Sequence, residues 1–160
     1  MSRSPAAGGS SDDASGPEAP LRVAFVCVQN AGRSQMAGAL AERERARRGA
    51  ESRVEFLTGG TEPADAVHPV VVEAMADVGI DLAGRTPRPI TPDEIETCDA
   101  VITMGCSAED VCPATWRGDS RDWGLDDPHG KDVDAVRDVR DEIEARVYAL
   151  FDELEVGARV

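Results

Sequence analysis

Leu21-Arg22-Val23-Ala24-Phe25-Val26-Cys27-Val28-Gln29-Asn30-Ala31-Gly32-Arg33-Ser34-Gln35-Met36 is the stretch that decides how the rest of the chain is read. The apolar run from Leu21 to Val26, continuing to Val28, has the character of a strand buried on both faces. From Ser34 to Arg48 the apolar residues Met36, Ala37, Leu40 and Ala41 recur at helical spacing, and Gly49 is a stop signal. Strand, short loop and helix in immediate succession is the repeating unit of an α/β sheet. Inside the loop, Cys27 precedes Arg33 by six positions and Ser34 follows at once, a C-x5-R-S pattern.

Those residue types at that spacing suit one chemistry. A cysteine attacks as its thiolate, which a helix N-terminus and a nearby cation both favour. The loop between Cys27 and Arg33 offers the backbone N–H groups of Val28, Gln29, Asn30, Ala31, Gly32 and Arg33, which can ring an anion at the positive end of the helix. Arg33 can grip two oxygens of a tetrahedral oxyanion in fork geometry. Ser34 stands where an N-cap belongs and can offer its hydroxyl to the sulfur. Gly32 and Asn30 suit unusual backbone conformations. The loop is not the lysine-containing ATP cradle, because Lys131 is the single lysine and lies far along the chain.

Further along, Val54 to Thr58 reads as a second strand closed by a Gly59-Gly60 turn, and Pro69 to Val78 as a helix with proline in its first turn. Thr91 to Glu96 reads as a short helix with Thr91 as cap. Ala100 to Met104 reads as a third strand, Trp123-Gly124-Leu125 as a short fourth one, and Asp132 to Leu154 as a long terminal helix. Alternation of strands and helices predicts an α/β fold of three layers around a mainly parallel sheet, with ligands at the carboxyl ends of the strands. Cys27, Thr58, Cys106 and Asp127 all follow strand ends and can meet on that rim.

The chain of 160 residues is read as residues 1–20, a disordered acidic tail rich in Ser, Gly, Ala and Pro, followed by one domain, 21–160. A net charge of -14 argues against nucleic acid as a partner. The acid excess fits a salt-adapted cytoplasm, and arginine-for-lysine usage alone does not explain it. No apolar run is long enough to span a membrane and no export signal is visible, so a cytoplasmic protein without a structural disulfide framework is expected. Of the four cysteines, Cys98 begins an apolar segment and reads as packing. Cys106 ends the third strand, and Cys112 follows after five residues. A helix spanning both would part their Cα atoms by roughly 9 Å, beyond the roughly 7 Å limit for a bridge. A Cys106–Cys112 disulfide therefore needs a looped or unwound segment. C-x5-C without a second pair is not a metal site, and His68 and His129 lack ligand spacing, so none is expected. His68 is read as structural and His129 as a solvent-facing residue.

Val26 to Ala37 resembles the active-site loop of thiol-dependent arsenate reductases in the low-molecular-weight protein tyrosine phosphatase superfamily. Thr58-Gly59-Gly60-Thr61-Glu62-Pro63, Val67-His68-Pro69, Ile102-Thr103-Met104-Gly105-Cys106 and Trp123-Gly124-Leu125-Asp126-Asp127-Pro128 resemble further segments of that family. The resemblance covers about residues 21 to 155 and implies a flavodoxin-like fold with a four-stranded parallel sheet. It implies that Cys27 attacks arsenate while Asp127, the residue before Pro128, protonates the departing oxygen. Cys106 then attacks Cys27 and Cys112 attacks Cys106, handing a disulfide to an external thioredoxin-like reductant or a small thiol, with no bound cofactor. The alternative is hydrolysis of phosphate monoesters through a phosphocysteine, which needs Cys27, Arg33 and Asp127 but neither later cysteine. Against it stand Gln35 where those phosphatases have proline, His129 where they have tyrosine, and a chain with one tyrosine, three phenylalanines and two tryptophans. A non-catalytic arsenic or redox sensor keeping the loop as a binding site is a further alternative. Some relatives hold potassium with an acidic residue on the first helix, where Gly38 stands here, so that cation is not expected.

Overall fold

The computed structural model describes residues 19–159, so the expected N-terminal tail lies outside the described residues except for Ala19 and Pro20. Four strands form one all-parallel sheet: β1 (Leu21–Cys27), β2 (Val54–Gly60), β3 (Ala100–Met104) and β4 (Asp119–Asp122). Their spatial order is β2-β1-β3-β4. The helices are α1 (Arg33–Arg47), α2 (Pro69–Ala76), α3 (Pro92–Glu96), α4 (Ala108–Val111) and α5 (Val133–Arg159).

The apolar run of β1 is buried on both faces from Val23 to Cys27, as a central parallel strand requires. Its side chains alternate. Val23, Phe25 and Cys27 join the large core beneath α1, α2 and α5, while Ala24 and Val26 join a smaller one with Ile95, Cys98, Val101 and Val111. The result is the three-layer α/β architecture that the alternation of elements predicts. α5 closes the larger core with Val136, Val139, Ile143, Val147, Leu150 and Phe151, at intervals that keep them on one helical face. α1 lies close on β2 because Gly38 has no side chain: a Cβ there would come within 2.5 Å of Thr58 Cγ2. α3 opens with a capping box between Thr91 and Glu94, as its sequence announces.

Two strand boundaries differ from expectation. Gly59-Gly60 is not a turn: β2 runs through Gly60, which pairs with Cys27 in register. The glycines are there for room, since a Cβ on Gly60 would lie 2.6 Å from the Val28 carbonyl oxygen and 2.9 Å from the Asn30 nitrogen. The fourth strand is Asp119–Asp122, with Trp123 and Leu125 in the loop beyond it. This strand lies at the sheet edge and is mostly exposed, so it shows no apolar pattern; its Arg121 pairs with Glu153 of α5. The apolar signal came from Trp123, whose ring packs against Phe25 inside the core.

Replacing Gly60 with alanine forces a methyl group into backbone atoms. Overpacking of this kind costs about 1–3 kcal/mol, so Gly60→Ala should lower the urea midpoint with an unchanged m-value, and an unaltered midpoint would show that the close approach is absent.

Candidate active site

The loop from Cys27 to Arg33 is shaped from outside. Its carbonyls are occupied by the segment that follows β2: Thr61 N donates to Cys27 O (3.2 Å), Glu62 N to Val28 O (2.7 Å), Ala64 N to Gln29 O (2.9 Å) and His68 N to Ala31 O (2.9 Å). In a trans peptide the next residue's N–H points opposite to the carbonyl. The N–H groups of Val28, Gln29, Asn30 and Gly32 are thereby turned toward the other side of the loop, where Cys27 lies. Asn30 completes the turn in the left-handed region at φ 52, as its residue type allows. Its N–H reaches Cys27 Sγ at 3.2 Å.

The sulfur sits in a directed chain of hydrogen bonds. Gln35 Nε2 and Arg88 N both donate to Asn30 Oδ1 (3.1 and 3.0 Å), which fixes the Asn30 amide with its nitrogen toward Ser34. Asn30 Nδ2 donates to Ser34 Oγ at 2.6 Å. Ser34 Oγ lies 2.9 Å from Cys27 Sγ, and with its lone pair taken by Asn30 its own hydrogen is free for the sulfur. Ser34 is thus not the helix cap. Gly32 holds that position without a side-chain cap bond, and Arg33 is the first residue of α1 rather than lying ahead of it. Asn30, Ser34 and Gln35 are all buried.

Arg33 is buried to 7% exposure, with its guanidinium held from three sides. Nη1 donates to Leu125 O at 2.9 Å, and Nη2 lies 3.8 Å from Asp127 Oδ2. Beneath it is Gly105, at φ 89, where a Cβ would come within 2.6 Å of Nη2 and 2.7 Å of Nη1. Only glycine suits both that backbone and that contact. Asp127 is exposed, and its Oδ1 accepts from His129 N at 2.9 Å. The loop carrying it rests on Gly32, whose missing Cβ leaves room for Pro128 (2.7 Å to Cγ). Asp126, its neighbour, turns instead toward a shallow groove along α5. Cys27, Val28, Gln29, Gly32, Arg33, His68, Gly105, Asp127 and His129 line one cleft of about 360 Å³. Ala31 is fully buried and does not line it.

Strand order explains how the cysteines stand. β1 and β3 are neighbours whose following helices go to opposite faces, α1 with the larger core and α4 with the smaller. A crevice opens at such a switch point. Cys27 pairs with Met104 in register, and after Gly105 the chain turns to the other face, where Cys106 Sγ contacts Val26 O at 3.7 Å. Burial and the adjacent Cys27 push the Cys106 thiol up to about 11. Cys112 packs with Cys106 against the smaller core, and all four cysteines are free thiols. Between the two lies a single helical turn, Ala108–Val111, flanked by non-helical residues on both sides. Cys98 is buried, with its thiol donating to Glu94 O, and burial raises its pKa.

The two histidines come together beside the Cys27 loop. His129 does not merely face solvent: its ring lies 4.9 Å from that of His68, tilted by 49°. His68 Nε2 lies 3.1 Å from Gln29 Oε1 of the Cys27 loop. Each histidine follows a site segment in the sequence, but only tertiary structure joins the two. Among the described residues, no group of three or more His, Cys, Asp or Glu is placed to hold a metal ion, and no helix is long and apolar enough to cross a membrane.

Residues 22–159 match the family model described as low molecular weight phosphotyrosine protein phosphatase. A Halobacterium salinarum protein provisionally named an arsenate reductase is 57% identical over 136 residues, covering 85% of this chain and 94% of its own length. The arsenate reductase of Brevibacillus brevis is 36% identical over 126 residues, covering 78% of this chain and 90% of its own. The solved structure of a thioredoxin-dependent arsenate reductase from Corynebacterium glutamicum superposes with a TM-score of 0.72 at 35% identity. That match covers 90% of this chain and 66% of the longer Corynebacterium one.

Gly105→Ala should displace the Arg33 guanidinium while leaving Cys27 in place. Loss of one charge-assisted hydrogen bond lowers affinity about tenfold or more. Phosphate binding measured by calorimetry should weaken by that factor, with Cys27 still alkylated by iodoacetamide; unchanged phosphate affinity would contradict the role given to Gly105.

Proposed function

The chain belongs to the low molecular weight phosphotyrosine protein phosphatase family, and within it we propose that it is an arsenate reductase working through Cys27, Cys106 and Cys112 in turn. The observation that carries this reading is the pair of free thiols at the β1/β3 switch point: Cys27 in the anion cleft and Cys106 on the carbonyl of the preceding residue, Val26. Ester hydrolysis gives no role to a second thiol there. The relatives named arsenate reductases support the same choice.

In the proposed reaction, arsenate enters the ring of loop N–H groups and is gripped by Arg33. The Cys27 thiolate attacks arsenic, a sulfur–arsenic bond forms, and the departing oxygen leaves as water with a proton from Asp127. The Cys106 thiolate then attacks Cys27 Sγ. The sulfur–sulfur bond forms, the sulfur–arsenic bond breaks with its electron pair going to arsenic, and As(V) becomes As(III). Cys112 attacks Cys106 Sγ, restoring the Cys27 thiolate and leaving a Cys106–Cys112 disulfide for an external dithiol or small thiol to reduce. No bound cofactor is required. The short helical turn Ala108–Val111 between the two cysteines is small enough to unwind for that bridge. The carboxylate-rich surface fits a protein of a salt-rich cytoplasm, where counterions screen the field that arsenate must cross.

The ionisation of Cys106 follows the reaction. Burial is the main reason its pKa stands near 11, and the neighbouring Cys27 adds to it. With the thiol at 11, about one Cys106 in a thousand is ionised at pH 8, and each unit of pH multiplies that about tenfold. When disulfide formation limits the rate, arsenite release in a single turnover should rise with pH from 7 to 9 in proportion to Cys106 thiolate. A flat profile would contradict the assignment of Cys106 as attacking group.

Purified protein assayed for arsenite with a thioredoxin system should lose activity at least a hundredfold on Cys106→Ser and on Cys112→Ser, because each replacement removes a nucleophile. Release of nitrophenol from its phosphate ester, where measurable, should depend on Cys27 alone. Full multiple-turnover arsenate reduction by Cys112→Ser would refute the relay.

A further inference from the structure

The cleft holds two imidazoles for which the proposed reaction has no use. His68 N-caps α2 and closes the segment that shapes the nucleophile loop; His129 stands in the acid loop after Pro128. Their rings meet at 4.9 Å across the cleft that contains Cys27 and Arg33. The contact joins the two segments on either side of the anion site. His68 is also fixed from the loop itself, through Gln29 Oε1 at 3.1 Å and by packing beside Gly32.

Two imidazolium charges at that distance would repel each other. The other charged or titratable groups lining the cleft are Cys27 on the nucleophile loop, Arg33 on α1 and Asp127 on the acid loop. Arg33 is partly engaged by Leu125 O and Asp127, and the chain carries a net charge of -14. An incoming dianion therefore meets little positive potential at the mouth unless the histidines supply it.

We propose that His68 and His129 form a second anion-binding element of this cleft: one proton held by the facing rings draws the tetrahedral oxyanion to the mouth, so that binding takes up a proton. Burial and His129 hold His68 below the ordinary histidine range, with Asp127 opposing them. A dianion beside it favours the protonated ring, and by linkage a ligand that raises proton affinity binds more tightly as pH falls. The inference rests on reading the cleft as an oxyanion site.

Sulfate tests it, because its charge is constant between pH 5.5 and 7.5. The measurement is sulfate affinity by calorimetry at constant ionic strength in Cys27→Ser protein, where the thiol no longer titrates. His68→Gln, His129→Gln and the double replacement are compared in the same background. Uptake of one proton sets a limiting slope of about one decade of affinity per pH unit. Sulfate should bind at least about tenfold more tightly at pH 5.5 than at 7.5 with both histidines present. Each single replacement should shrink that ratio, and the double replacement should bring it below about twofold. Asp127 and every other carboxylate are common to all four proteins, so a ratio that survives the double replacement belongs to them and overturns the inference. Sulfate bound with pH-independent affinity when both histidines are present overturns it while leaving the oxyanion reading intact. No sulfate binding at any pH overturns both.

Discussion

Outward anchoring of the Cys27 loop carbonyls is the constraint on which the site depends. Four amides of the segment after β2 take the carbonyls of Cys27, Val28, Gln29 and Ala31. Each such bond contributes only about 1 kcal/mol net, but together they choose one face of the loop for its carbonyls and the other for its N–H groups. The N–H groups of Val28, Gln29, Asn30 and Gly32 are therefore set on one face of the loop by the fold itself, the preorganisation that the proposed binding of an oxyanion uses. The close approach behind that anchoring requires Gly60, and the final turn requires Asn30 in the left-handed region. The buried amide of Asn30 then orients Ser34, which completes the setting of the sulfur.

Strand order supplies the second constraint. Because β1 and β3 are adjacent and lead to helices on opposite faces, the crevice between them receives one cysteine from each side. Gly105 is the thin partition. It carries no side chain, seats the Arg33 guanidinium and turns the chain toward Cys106. The loop carrying Asp127 reaches the same guanidinium through Leu125 O and Asp127 and rests on Gly32 through Pro128. Arg33 thus touches the segments that carry Asp127 and Cys106 as well as its own loop. A change in either segment is felt where the oxyanion would bind.

Much of this was legible in the sequence, for physical reasons that differ by element. β1, α1, α3 and β3 announce themselves because burial on both faces, helical spacing and a capping box are local signals. The strand Asp119–Asp122 does not, because an exposed edge strand has no apolar face to display. Gly59-Gly60 looks like a turn because glycine is equally the residue of turns and of close packing, and only the neighbour Val28 O decides. Cys27 and Arg33 stand out as a pair at fixed spacing. The left-handed turn at Asn30 and the Ser34 hydroxyl beside the sulfur were legible too, being local to the loop, whereas the Arg88 bond to Asn30 and the seat that Gly105 gives Arg33 join segments far apart in sequence. The pairing of His68 with His129 spans about sixty positions and leaves no local trace.

In the proposed relay the electrons for arsenate come from Cys27 and Cys106, with Cys112 receiving the disulfide afterwards. Stopping the sequence of exchanges at its middle tests it most directly. Reduced Cys112→Ser protein, treated with arsenate and no external reductant, should release one arsenite per chain and yield a Cys27–Cys106 disulfide on peptide mapping by mass spectrometry. Arsenite released with Cys27 and Cys106 still free, or with Cys27 bridged to Cys98 instead, would contradict the account.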